Sequence, residues 1–252
     1  MHRIRLYSTP QHGACVTLSA AQAHYIARVL RLRACDTIAA FDGAGHEWHL
    51  RLLRVSGKQV QAEIIACQLA DTTDLAPVIL GQALPKSAKM DLIVEKCSEL
   101  GLTTLVPLYT ERTVVRETPE RLPARIARWQ RIAEAAAKQC GRHTLLDVQT
   151  PQSLADFCQH SPAAAAKLIC WEGEKQGGIR HVLESLREAG SYVVLIGPEG
   201  GWTGAEVELA RTHGFVPVSL GPRVLRTETA AIAITSLIRY SRGDLEPHAE
   251  RG

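Results

Sequence analysis

The chain has 252 residues, 46% of them hydrophobic and 22% charged, and its formal net charge is +3. This length suggests one or two domains, and the composition is typical of a globular protein with a real core. No apolar run of about 18 residues occurs, and the first residues lack the apolar stretch of a secretory signal. We therefore expect no transmembrane helix and no association with a membrane.

The seven cysteines are scattered, with no C-x-x-C pair. Such a set is typical of reduced thiols in the cytosol rather than of a disulfide framework, so we expect a cytoplasmic protein. Two pairs of possible metal ligands occur, His46 with His49 and Cys140 with His143. Neither is matched by a second pair of ligands at the spacing of a metal site. The sequence therefore predicts no bound metal.

Arginine makes up 22 of the 29 basic residues. Arginine is well suited to planar contacts with phosphates and bases, which favours a nucleic-acid partner. A GC-rich genome, which replaces lysine by arginine throughout, is the alternative explanation. Clustering of the arginines would favour a nucleic-acid partner over the genomic explanation.

Residues 1–72 are predicted to form a small β-rich domain. Four β-branched or alternating runs, separated by turn residues, are predicted as strands over 14–19, 36–43, 46–55 and 59–69. One helix is predicted over 21–32. The segment 71–77 is predicted to be a linker.

From residue 75 to about 245, predicted strands alternate with helices. The strands are expected at 78–85, 103–109, 166–172, 191–197 and 215–221, and the helices at 86–101, 120–141, 152–160, 178–189, 204–213 and 228–241. This alternation predicts an α/β domain with a parallel sheet. The tail from residue 246 is expected to be frayed.

Two glycine-proline corners stand out in this second domain. One predicted strand ends at Gly197-Pro198 and leads through further glycines to a T-G-A-E capping box that begins at Thr203. The next ends at Gly221-Pro222, before a helix that Thr227 can cap. Ligands bind beyond the carboxyl ends of strands in open α/β sheets, so the two loops predict a pocket for a small polar ligand. The motifs of dinucleotide, P-loop and nucleophile-elbow sites are missing.

Both corners resemble the signature of the SPOUT RNA methyltransferases. More narrowly, LIGPEGGWTGAE (195–206) and LGPRVLRTETAAIAI (220–234) resemble the RsmE family, which methylates N3 of a uridine in small-subunit ribosomal RNA. Further matches are HYIARVLRL, FDGAG (41–45), EKCSELG (95–101), ERTVV (111–115) and QCGR (139–142). The resemblance therefore covers nearly the whole chain.

This resemblance implies a trefoil-knotted SPOUT domain over 75–245, preceded by a PUA-like β-barrel domain over 1–72 that helps to hold RNA. It implies a homodimer with its active site near the subunit interface. The implied substrate is 16S rRNA within the small ribosomal subunit. The alternatives are a SPOUT methyltransferase acting on another RNA, and a non-catalytic RNA-binding protein of the same fold.

The resemblance also implies S-adenosylmethionine as the cofactor, held in the knot. The residues expected to bind it are Leu195, Ile196, Gly197, Pro198, Glu199, Gly200, Gly201, Leu220, Gly221, Leu225, Arg226, Thr227, Thr229 and Ala230. We interpret Glu172 as facing the cofactor side and assign no role to Trp202.

Uridine N3 carries a proton at neutral pH, so catalysis must help to remove that proton or stabilise the resulting anion. Arg226 is the candidate for stabilising negative charge on the uracil oxygens. Glu199 or Glu228 is the candidate general base, provided that burial raises its pKa. Loss of the proton to water, with no protein base, is the alternative. Phosphate contacts are expected from Arg28, Arg31, Arg33, Arg112 and Arg142.

Overall fold

The computed structural model describes residues 2–69, 76–114, 118, 120–163 and 165–246. The chain divides into two compact units, one formed by Met1–Asp74 with Ala137–Leu145 and the other by Leu75–Ala136 with Leu146–Gly252. The first unit thus includes residues 137–145, which were predicted to belong to the second domain. Most of the predicted linker 71–77 and of the predicted frayed tail lies outside the described residues.

The first unit is built on a five-stranded sheet in the order β1-β3-β4-β5-β2. Its strands are β1 (Arg3–Arg5), β2 (Cys15–Thr17), β3 (Thr37–Phe41), β4 (His46–Val55) and β5 (Val60–Leu69). β1 pairs parallel with β3, and the other pairs are antiparallel. Alternating residues of β4, namely Trp48, Leu50 and Leu52, are buried in the core of this unit. This alternation is what identified the strand in the sequence.

The helix predicted over 21–32 is shorter in the structure. Helix α1 (Ala20–His24) begins with a capping box between Ser19 and Gln22, and a π-helical turn (Tyr25–Val29) follows it. The helical stretch ends just before Arg31, whose φ of 56° lies in the left-handed region.

Residues 137–145 are held in the first unit by Arg3. Its guanidinium bonds Glu47 at 2.6 Å and His143 at 3.2 Å, and it donates to the carbonyl oxygen of Arg142 at 3.1 Å. Burial lowers the pKa of His143, although Glu47 nearby favours its charged form. The main-chain N–H of Leu145 also donates to the carbonyl oxygen of Gly43 at 3.0 Å, so the segment is fixed both by a nearly buried arginine and by pairing with the turn before β4.

The second unit carries a fully parallel sheet, as predicted, in the order β12-β10-β11-β6-β7-β8, with β9 also pairing with β7. The strands are β6 (Val78–Ala83), β7 (Thr104–Tyr109), β8 (Asp147–Val148), β9 (Gln152–Ser153), β10 (Ala166–Cys170), β11 (Tyr192–Ile196) and β12 (Val216–Val218). The short strands β8 and β9 were not predicted.

Helices cover both faces of this sheet. They are α2 (Lys89–Glu99), α3 (Leu122–Cys140), α4 (Leu154–His160), α5 (Ile179–Ser185), α6 (Gly204–Thr212) and α7 (Thr227–Ser241). Along β11, Tyr192, Val194 and Ile196 pack into one apolar cluster, whereas Val193 and Leu195 pack into the other. A strand buried on both faces reads as a continuous apolar run, which is how β11 appears in the sequence.

Over the part of the chain that the structure describes, no helix is long and apolar enough to cross a membrane. In the same residues, no group of three or more His, Cys, Asp or Glu side chains is arranged to hold a metal ion. All seven cysteines are free thiols. The trefoil knot stays a prediction.

Candidate functional site

A cavity of about 340 Å³ opens beyond the carboxyl ends of β10 and β11, where the sequence predicts a pocket. It is lined by Lys89, Cys170, Glu172, Ile196, Gly197, Pro198, Glu199, Gly201, Trp202, Val224, Leu225, Arg226, Thr227 and Ala230. A second cavity of about 110 Å³ shares several of these residues and adds Trp171, Ser219, Leu220, Gly221, Pro222 and Arg223. The two glycine-proline corners therefore lie at one continuous site.

Most of the predicted cofactor residues line these two cavities; the exceptions are Leu195, Gly200 and Thr229. Leu195 points to the opposite face of the sheet, because successive side chains of a strand alternate. Gly200 lies on the outside of its corner, where its carbonyl oxygen accepts a hydrogen bond from Arg112 at 2.7 Å. Thr229 is exposed on α7.

Trp202, for which no role was predicted, packs against the first corner. The indole is buried, and its N–H donates to the carbonyl oxygen of Cys170 at 3.0 Å. A Cβ atom at Gly197 would lie 3.2 Å from the indole ring, so the glycine allows the ring to pack against the backbone. The predicted capping box of Thr203 and Glu206 is confirmed directly after this tryptophan.

Thr227 does not cap α7, contrary to the prediction. Arg226 occupies the N-cap position and makes no side-chain capping bond. The Thr227 hydroxyl instead donates to the carbonyl oxygen of Gly197 at 2.7 Å and accepts from the amide of Gln82 at 2.9 Å. Gln82 is fully buried in β6 and had no distinguishing signal in the sequence. The two corners are thus tied together through a polar residue of the central sheet.

Lys89 at the start of α2 connects the two candidate bases. Its ammonium lies 2.7 Å from Glu199 and 3.6 Å from Glu228. Glu199 also accepts a hydrogen bond from the main-chain N–H of Lys86 at 3.1 Å. The sequence gives no hint of this lysine, because it becomes a neighbour of Glu199 only when β6 pairs with β11.

The pKa of Glu199 is lowered, although the general-base hypothesis requires a raised value. Burial alone would raise this pKa, but the hydrogen bonds from Lys89 and the main chain outweigh it. The hydrogen bond to Glu199 in turn raises the pKa of Lys89. At neutral pH this pair is an ion pair, and Glu199 is held as a carboxylate. Glu228 does not line either cavity.

Two charged side chains at the large cavity, Arg226 and Glu172, are not paired with an opposite charge, unlike Lys89 and Glu199. Arg226 and Glu172 are exposed, and neither makes an ion pair or side-chain hydrogen bond with a described residue. Both are therefore available to a ligand. Arg226 presents a cation to the cavity, and Glu172 presents an anion.

The predicted RNA-binding arginines are divided between the two units. Arg28, Arg31 and Arg33 are exposed together in and after the π-helical turn of the first unit. Arg142 is half-buried, and its guanidinium donates to Thr144 at 3.0 Å. Arg112 lies in the second unit, bound to Gly200.

Family models match both parts of the chain. Residues 73–239 match an RNA methyltransferase domain, and residues 18–65 match the PUA domain of RNA methyltransferases. The chain is 37% identical over 231 residues to ribosomal RNA small subunit methyltransferase E of Synechocystis, which covers 90% of this chain and 74% of the relative. Its identity to the Bacillus subtilis protein of the same name is 31%, with 90% and 92% covered.

Two solved structures resemble the whole chain. Ribosomal RNA small subunit methyltransferase E from Neisseria gonorrhoeae, bound to S-adenosylmethionine, superposes with a TM-score of 0.83 at 34% identity and covers 95% of this chain and 97% of its own. A protein from Legionella pneumophila, solved with the same cofactor, has a TM-score of 0.85 at 32% identity and the same coverage.

The parallel sheet with its cavity at the strand ends, together with the two domain matches, places the chain in the class of RNA methyltransferases with an N-terminal PUA domain. Similarity to the Synechocystis and Bacillus proteins then identifies the particular family within this class. The chain belongs to the ribosomal RNA small subunit methyltransferase E family. This confirms the resemblance noted in the sequence.

Proposed function

We propose that this chain uses S-adenosylmethionine to methylate N3 of a specific uridine in 16S rRNA, within the small ribosomal subunit. The observation that carries the proposal is the cavity between the two glycine-proline corners, in a family member with relatives that were solved holding this cofactor. The proposal includes a homodimer and, because ribosomal subunits lie there, a cytoplasmic location.

The cavity suits the cofactor in size and in chemistry. Its volume of about 340 Å³ lies within the roughly 300–1,000 Å³ that is usual for small-molecule sites. Ile196, Leu225 and Ala230 supply apolar walls for the adenine and the methionine chain. Gly197 and Gly201 line the cavity with their main chains, whose polar groups can bind a ligand. When bound, the cofactor supplies an activated methyl group for in-line transfer.

The residues of the chain then have to make N3 nucleophilic. The exposed guanidinium of Arg226 is free to stabilise negative charge on the uracil oxygens, which favours loss of the N3 proton. Glu199 is tied to Lys89 and to the main chain, so its role is to shape the corner. The N3 proton passes to water. Positioning N3 of the uracil in line with the methyl group and the sulfur supplies the rest of the rate enhancement.

We assign residues 1–72 to RNA binding and residues 75–245 to cofactor binding and chemistry. Arg28, Arg31 and Arg33 are exposed together, as phosphate contacts require. For Arg112 and Arg142, the hydrogen bonds to Gly200 and Thr144 indicate that at least part of their role is structural.

The decisive experiment incubates the protein with small subunits that lack the modification and with methyl-labelled S-adenosylmethionine. The RNA is then digested and its nucleosides are separated by mass spectrometry. Label in 3-methyluridine is the expected result, and label in another nucleoside would overturn the N3 assignment. No label, with cofactor binding intact, would favour the non-catalytic RNA-binding protein unless transfer RNA or free ribosomal RNA is labelled.

Arg226 is tested in the same assay. Arg226→Ala should lower the rate of methyl transfer by about a hundredfold, since loss of one charge-stabilising donor has costs of this order. Arg226→Lys should restore part of the rate. Arg180→Ala, at an exposed position of α5, serves as the control for loss of one positive charge.

A further inference from the structure

We infer that Glu172 is the charge-selective residue of the cofactor cavity, and that its carboxylate favours the cationic cofactor over the neutral product left after methyl transfer. This inference rests on the proposed function. It assigns to Glu172 a role in cofactor affinity and product release, distinct from the role of the glycine corners.

Glu172 occupies a particular place in the site. It follows β10 by two residues and lines both the large and the small cavity. The other residues that line both cavities are Cys170, Val224, Leu225 and Ala230. Burial raises the pKa of the Cys170 thiol to about 12, so this group stays neutral. Glu172 is therefore the charged residue at the junction of the two cavities.

The carboxylate of Glu172 is not neutralised by the protein. Glu199, the other acidic residue that lines the large cavity, is bound to Lys89 at 2.7 Å. Glu172 makes no ion pair or hydrogen bond with any residue that the structure describes. The negative charge at the junction is thus available to a bound cation.

The carboxylate of Glu172 lies against the first glycine corner. A Cβ atom at Gly201 would collide with the Glu172 carboxylate, so the carboxylate packs directly against the backbone there. Gly201 has a φ of 68°, a conformation that itself favours glycine. The missing side chain at Gly201 therefore leaves room for the carboxylate at the cavity wall.

The chemistry of the reaction gives this charge a consequence. Methyl transfer breaks the bond between sulfur and the methyl carbon, leaves the electron pair on sulfur, and forms the bond to N3, while the N3 proton goes to solvent. The sulfonium thereby becomes a neutral thioether, and the net charge of the ligand falls from +1 to zero. A nearby carboxylate attracts the first form and not the second, with an effect of roughly three- to tenfold in affinity for a partly hydrated site. The product is therefore bound less tightly than the cofactor.

The test is calorimetric titration of the full-length protein with S-adenosylmethionine, with S-adenosylhomocysteine, and with sinefungin, which carries a charged amine in place of the sulfonium. Glu172→Gln keeps the size of the side chain and removes its charge. We expect the affinity for both cationic ligands to fall roughly three- to tenfold. The affinity for S-adenosylhomocysteine should change less than about twofold. The selective loss should shrink as salt is added, because salt screens exposed charges.

The control is Glu184→Gln, which removes one negative charge from an exposed position of α5 outside both cavities. It should leave all three affinities unchanged. Equal weakening of all three ligands by Glu172→Gln would show a structural role and overturn the inference, as would unchanged affinity for the cationic pair. Failure of the unaltered protein to bind any of the three would overturn the proposed function itself.

Discussion

The hydroxyl of Thr227 donates a hydrogen bond of 2.7 Å to the carbonyl oxygen of Gly197, and this bond ties the first residue of α7 to the corner after β11. The same hydroxyl accepts from the buried amide of Gln82 at 2.9 Å. Three segments that are far apart in the chain therefore meet through one side chain. The geometry of the cofactor cavity depends on this meeting point.

Replacing Gln82 by Met should loosen the corner. The substitution removes the donor to Thr227 and to the carbonyl oxygen of Ala83, and leaves both acceptors without that partner in a buried site. A loss of about 1–3 kcal/mol in the free energy of unfolding is expected, because an unsatisfied buried polar group has a penalty of this size. Chemical denaturation measures it, and calorimetry should show weaker binding of S-adenosylmethionine.

Thr227→Val completes a double-mutant cycle with Gln82→Met. Since the two side chains share one hydrogen bond, the double variant should lose less stability than the sum of the single variants. Strict additivity would mean that the two residues stabilise the fold independently. Thr235→Val, which removes a buried hydroxyl elsewhere on α7, serves as the control because its effect should add to that of Gln82→Met.

Glu199→Gln should retain the rate of methyl transfer within about tenfold, whereas removal of a true general base has a cost of about 10²–10⁴. Glutamine keeps an oxygen that accepts from Lys89 and from the N–H of Lys86, so the corner keeps its shape. Single-turnover measurements with saturating cofactor give this rate. A loss of a hundredfold or more with unchanged cofactor affinity would restore Glu199 as the base.

Glu199→Ala is the companion variant. It removes both hydrogen bonds, so cofactor affinity should fall even if the chemical step is little changed. Together the glutamine and alanine variants separate a carboxylate that shapes the loop from one that takes a proton.

The fold of the second unit and the location of its site were accessible from the sequence for a physical reason. Both signals are local: β11 reads as an apolar run bounded by glycine and proline, and the capping box of Thr203 and Glu206 marks the start of α6. Lys89, Gln82 and Trp202 were missed because their importance lies in partners distant in the chain or in one buried hydrogen bond. The general-base hypothesis required a raised pKa at Glu199, and this condition is not met for the same reason, since the sequence could not show that the hydrogen bonds from Lys89 and the main chain outweigh burial.

Gly201→Ala should impair cofactor binding far more than Gly204→Ala. At Gly201 the φ of 68° disfavours alanine, and the new methyl group would displace the Glu172 carboxylate from its position against the corner. At Gly204, the first residue of α6, a Cβ atom meets nothing within 4 Å. Calorimetric titration with S-adenosylmethionine should therefore show a loss of affinity only for the first variant. Equal affinities would mean that the corner rearranges without affecting the cavity.

The stability of the first unit should depend on Asp42 in a pH-dependent way. Its carboxylate accepts hydrogen bonds from the main-chain N–H groups of Ala44 and His46 and from the His46 ring. Burial alone would raise the pKa of Asp42, but these bonds outweigh it and lower the pKa. Because the folded pKa lies below the unfolded value of about 3.9, the carboxylate stabilises the fold above that pH. The contribution is lost as the pH falls through the folded pKa.

Asp42→Asn should therefore lower the free energy of unfolding at pH 6 by about 1–2 kcal/mol, as expected for weakened hydrogen bonds to a charged group. The difference from the unaltered protein should shrink as the pH falls below about 4 and through the folded pKa, because protonation then removes the same charge from the unaltered protein. Thermal unfolding at several pH values measures both. Glu63→Gln, in the same unit, is the control, since its partly exposed carboxylate lies 3.9 Å from Arg51 and should contribute little at any pH. A difference for Asp42→Asn that stays constant as the pH falls below about 4, down to the lowest pH at which the protein is folded, would show that shape, and not charge, makes Asp42 stabilising.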